Sequence, residues 1–134
     1  MIANKKVILF ELNEVPYRIL DEYVRKHPKS AMAKFSNRSM QAMSYAVDDG
    51  HLSPWKTWPT LHRGSKDHGI TDFNQDLTEA NQICPSIWTK LHHARVRTGV
   101  FGSLHSYPMP KDYSSYSFYV PDPFAKLLKL IPFM

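Results

Sequence analysis

Changes of hydrophobic period constrain this chain more than any other feature. The run KVILFEL, residues 6–12, is short and mostly apolar, as expected for a strand buried on both faces of a parallel sheet. Across Pro16 the period changes. In YRILDEYVRK, residues 17–26, Tyr17, Leu20, Tyr23 and Val24 fall on one side of a helix that Pro16 is suited to open. SMQAMSYAV, residues 39–47, reads as a second strand. PSIWTKLHHA, residues 85–94, reads as a helix opened by Pro85 and Ser86, and RTGVFGS, residues 97–103, as a third strand ending at Gly102. Strands alternating with helices predict an α/β fold with a mostly parallel sheet flanked by helices. In such folds sites form beyond the carboxyl ends of the strands. The stretches to inspect are those after Leu12, Val47 and Phe101.

The 134 residues, 43% of them hydrophobic, suffice for one domain with one core, spanning residues 1–134. Seventeen Lys and Arg against 12 Asp and Glu give a charge of +5, which favours an anionic ligand. The basic residues are scattered, so no specific nucleic-acid binding is expected. A lone cysteine, Cys84, permits no internal disulfide and suits a reducing compartment, giving a cytoplasmic expectation. The run Val7–Phe10 is too short to span a bilayer, and no transmembrane segment is expected. The tail PFAKLLKLIPFM, residues 123–134, has the spacing of a short amphipathic helix, and its apolar end offers a route to self-association. SYPMPKDYSSYSFYVPDPFA, residues 106–125, has no regular period, and its four prolines predict an ordered surface loop.

Polar residues gather where the strands end. Glu11, Asn13 and Glu14 follow the first strand as oxygen donors for a cation, or as a cap for the helix after Pro16. GHLSPWKTWPTLHRGSKDHGI, residues 50–70, follows the second. Pro54 and Pro59 bracket Thr57, and Pro59 fits the first turn of a short helix through His62. A Thr hydroxyl there would lie beside unpaired amides that stabilise a phosphate or sulfate oxygen; equally, Thr57 or Thr60 could serve only as the N-cap. As a nucleophile Thr57 would need a base or a metal ion. His105, in the loop after the third strand, is a further site candidate.

The order VILFELNEVPYRIL, SPWKTWPTLHRG, DHGI, SIWTKL and VRTGVFGS resembles the N-terminal part of the alkaline phosphatase superfamily, in its type I phosphodiesterase and nucleotide pyrophosphatase branch. The match rests on Lys56, Thr57, Trp58 and Pro59 together with His68, Gly69 and Ile70. The resemblance implies an incomplete alkaline-phosphatase-like domain. It implies a metal-dependent phosphoric (or sulfuric) ester hydrolase in which Thr57 is the nucleophile and a ligand of one of two divalent metals, usually zinc. Asn13 stands where that family has an aspartate ligand, with Glu11 and Glu14 as neighbouring donors. Asn74, Lys56 and His68 would contact the phosphate-ester substrate. The family's later metal ligands have no matching motif in this sequence, so the chain is expected to be inactive by itself. A second reading is a non-enzymatic small α/β module that binds an anion or a partner protein through its basic surface and aromatic residues.

Overall fold

In the computed structural model, residues 6–44, 53–72 and 75–124 are described, and the chain divides into two units, Met1–Val47 and Asp48–Met134. The first unit holds two helices. Helix α1, Tyr17–Lys26, coincides with the predicted segment. Asp21 to Arg25, at 3.4 Å, and Glu22 to Lys26, at 2.6 Å, are acidic-before-basic pairs one turn apart, the orientation that supports an exposed helix. Pro16 is the N-cap residue, with no side-chain capping bond. Helix α2, Ala31–Arg38, begins at Ser30, whose hydroxyl accepts the Ala33 amide at 3.1 Å. Ala33 is the buried residue of these two helices.

The expected first strand is corrected by the structure. Residues 6–12 adopt no strand pairing, and Val7 and Ile8 are each 88% exposed. A run of this composition becomes a strand only when a neighbour supplies ladder partners, and none of the described residues does so. Of the second expected strand, residues 39–44 are also without pairing, and residues 45–47 lie outside the described residues.

The second unit contains the sheet. Helix α3, Pro54–Arg63, starts five residues before the expected Pro59 and holds Pro59 in its interior. It ends at Gly64, whose φ of 70° closes the helix in the left-handed conformation. Helix α4, Thr78–Ile83, follows Asp76, whose carboxylate accepts the Thr78 amide at 2.9 Å and hydroxyl at 2.7 Å and is thereby held below the usual carboxylate range. Helix α5, Ile87–His93, is capped by Ser86, as the sequence indicates. It leads into β1, Thr98–Phe101, which pairs in parallel with β2, Tyr116–Val120.

Strand β2 lies inside the segment expected to be loop. The residues YSFYV, three aromatics with Val120 at the end, lie between the last turn signals and Pro121, and that composition was the available signal. Thr98 pairs with Tyr116 and Gly99 with Phe118, leaving Ser117 as the extra residue of a bulge. The fold is thus mixed α/β with five helices and a two-stranded parallel sheet among the described residues. Ile70, Leu77 and Ala80 form its apolar cluster, with Trp88 and Val100 also buried. No described helix is long and apolar enough to cross a membrane. The tail helix expected after Phe124 lies outside the described residues.

Candidate functional site

Helix α3 carries Lys56 and Thr57, both half-buried, in its first turns. The Thr57 hydroxyl donates to the Ser53 carbonyl at 3.1 Å, and the Thr60 hydroxyl donates to the Lys56 carbonyl at 2.9 Å. Both therefore bond back to the preceding turn, and neither is the N-cap, which is Ser53. With the proton of Thr57 directed at Ser53, the oxygen lone pairs remain its reactive feature.

The His68-Gly69-Ile70 segment folds onto this helix. His68 Nδ1 accepts the Ile70 amide at 2.9 Å, which fixes the proton of the neutral ring on Nε2. That nitrogen lies 3.0 Å from Thr60 Oγ1. Burial lowers the His68 pKa, opposed by its bond to the Lys56 carbonyl, so the ring is held neutral. Both ring nitrogens are thus engaged, Nδ1 within the loop and Nε2 on helix α3. Gly69 provides the turn with φ of 69°, and Gln75 braces it, donating to the Gly69 carbonyl at 2.7 Å and accepting the Thr71 amide at 2.9 Å.

The carboxyl ends of both strands approach the same region through His105. Its backbone is left-handed, φ 59°, and its Nε2 bonds the Asp72 carbonyl at 3.3 Å. Burial is the main cause of its lowered pKa, with Asp122 opposing and Arg63 and His62 adding to it. Buried Ser106 joins β1 to β2: its hydroxyl accepts the Asp122 amide at 2.9 Å and its carbonyl accepts the Tyr119 hydroxyl at 2.6 Å.

His62 and Arg63, near Thr57 in the sequence but not placed by that proximity, are both buried. Arg63 donates to the Ala80 carbonyl at 3.1 Å, the Cys84 carbonyl and Asn81 Oδ1 at 2.7 Å, covering the carbonyl end of α4. His62 lies between Trp58, ring centroids 5.7 Å apart, and Trp88, 5.0 Å apart. A buried charge is legible only from its partners, which come from residues 80–84.

Glu11, Asn13 and Glu14 belong to the first unit, where residues 13–14 form a turn and Glu14 has φ of 54°. Thr57 belongs to the second. Among the described residues no three His, Cys, Asp or Glu side chains gather as a metal-ligand group. Asn74 lies outside the described residues. No protein-family model, curated protein or solved structure matches the chain.

Proposed function

We propose that the second unit carries the nucleophile-bearing part of a phosphoric (or sulfuric) ester hydrolase, with the Thr57 hydroxyl as the attacking group. One observation supports this reading above the others. Helix α3, which carries Lys56–Pro59, and the His68–Ile70 segment, the two pieces on which the family resemblance rests, are joined by the Thr60–His68 hydrogen bond. The loop after β1 reaches the same region through His105 and Asp72.

In the proposed reaction the Thr57 oxygen forms a bond to phosphorus as the bond to the leaving alcohol breaks. The threonine proton departs with that alcohol. Water then cleaves the phosphothreonine and restores the hydroxyl. A divalent metal, zinc by resemblance, would be held in part by Thr57 and would supply activation of its hydroxyl. Lys56 and Asn74 would face the phosphoryl oxygens, and His68 would hold the segment in place.

The test is hydrolysis of a bis-aryl phosphate by the polypeptide as its source cells produce it, supplied with zinc or manganese. Thr57→Ala is expected to abolish turnover with an unchanged circular dichroism spectrum. Turnover retained in that variant overturns the proposal. Absence of hydrolysis by the natural polypeptide favours the second reading, a non-enzymatic anion- or partner-binding module.

A further inference from the structure

The opposite, amino-terminal edge of the sheet holds a separate groove, unrelated to Thr57. It has a volume of about 750 Å³ and lies where the turn after α5 meets the turn before β2. His92, His93, Arg95 and Arg97 line one side, and Asp112 and Ser114 the other. We propose that this groove is a binding site for a phosphate-type oxyanion, with Arg95 and Arg97 as its principal contacts.

The backbone supplies the first argument. Helix α5 ends in a Schellman motif: the Arg95 amide donates to the His92 carbonyl and the Val96 amide to the Leu91 carbonyl, each at 2.9 Å. The position after the cap in this motif is left-handed and is normally glycine. Here it is Arg95, with φ of 57°. At the end of α3 the same conformation is given to Gly64. An arginine kept where glycine would relieve strain points to a use for its side chain, and that side chain lines the groove.

Charge supplies the second argument. Two guanidinium groups and one carboxylate line the groove, and the carboxylate is already engaged. Asp112 accepts the Ser114 amide at 2.8 Å and its hydroxyl at 3.1 Å, and lies 3.5 Å from His92 Nε2. These bonds hold Asp112 below the usual carboxylate range and turn its charge toward Ser114 and His92. Arg97 Nε donates to Ser117 Oγ at 2.9 Å, which anchors the fork at its base and leaves its terminal nitrogens for a ligand. The negative end of the α5 dipole, which would oppose an anion, is covered by the amides of Arg95 and Val96.

The groove wall is preformed. The His92 ring stacks on Tyr116, centroids 5.1 Å apart and planes within 6°, and shares a hydrogen bond with Ser115. Tyr116 is fixed in turn by donating to the Trp88 carbonyl at 3.2 Å. A phosphate would therefore enter a groove whose His92–Tyr116 wall and Arg97 side chain are held in place before it arrives, which lowers the ordering cost of binding.

The experiment is a titration of the isotopically labelled chain with inorganic phosphate at constant ionic strength, followed by amide chemical shifts. Saturable shifts are expected at residues 92–97 and 112–116. Arg97→Ala and Arg95→Gly should each weaken binding at least about tenfold, the loss expected for one charge-assisted contact. Arg95→Gly should melt at or above the wild-type temperature, which separates lost binding from lost folding. Lys66→Ala, an exposed cation outside the groove, should leave the affinity unchanged. Absence of saturable shifts, wild-type affinity in the double arginine variant, or equal weakening by Lys66→Ala overturns the proposal.

Discussion

His68 Nε2 and Thr60 Oγ1 lie 3.0 Å apart, and this bond holds the His-Gly-Ile loop against helix α3. Its direction follows from the other side of the ring. Because Nδ1 accepts the Ile70 amide, Nε2 is the donor and Thr60 the acceptor. His68 in this state positions the loop and does not withdraw a proton from a threonine.

Thr60→Val keeps the shape of the side chain and removes both the acceptor for His68 and the donor to the Lys56 carbonyl. The variant is expected to lose about 1–3 kcal/mol of stability, the net worth of the two bonds. Thr60→Ser should recover most of it. Urea denaturation of the three proteins measures the difference, and an unchanged midpoint in Thr60→Val would show that the two bonds contribute nothing.

Arg63, 3% exposed, is the larger structural commitment. Burial lowers its pKa from the ordinary guanidinium value, with Cys84 opposing. Arg63→Met fills much of the volume but strips the Ala80 and Cys84 carbonyls of their donor, and should destabilise by about 2–4 kcal/mol. Arg63→Lys retains charge without the fork and should recover only part of that loss. Chemical denaturation gives both values.

Two buried histidines set an acid limit. Burial is the leading cause of the lowered pKa of both His68 and His105. An unfolded histidine has a pKa of about 6.5, so the unfolded chain takes up these protons first as the pH falls. The stabilising effect of the two neutral rings is thus complete above about pH 6.5 and is lost as the pH drops from there toward the folded values. Calorimetry at pH 7.5 and 5.5 should show a lower melting temperature at the acidic value. Asparagine tolerates the left-handed backbone at residue 105, so His105→Asn should narrow that difference.

Gly99 faces Phe118 across the parallel pair, and a Cβ added at Gly99 would clash with the outer edge of the Phe118 ring, at Cζ. Phe118 is itself 55% exposed and can rotate outward. Gly99→Ala is expected to cost about 1 kcal/mol or less, through loss of the ring's cover over the strand. The Phe118 side-chain resonances should move in the variant, and unchanged resonances would mean the ring does not cover the glycine.

Local order was legible in the sequence wherever neighbouring residues decide it. The α1 segment is set by apolar spacing and by paired charges one turn apart, α5 by its Ser86 cap, and β1 by a run bounded by Gly102. The start of α3 was misplaced because two prolines fit a helix start. Pro54 takes the first-turn position, while Pro59 is carried inside the helix at the loss of one backbone bond.

The amino-acid sequence by itself determined helices α1 and α5 and the excess of positive charge. Only the tertiary structure decided which apolar runs pair. Residues 6–12 and residues 116–120 both have a strand composition, yet the latter form β2 and the former are mostly exposed. Strand pairing requires a partner distant in the chain, and composition carries no record of one. The same reason applies to Arg63, Arg95 and His105, whose roles come from carbonyls, backbone angles and carboxylates contributed by other segments of the fold.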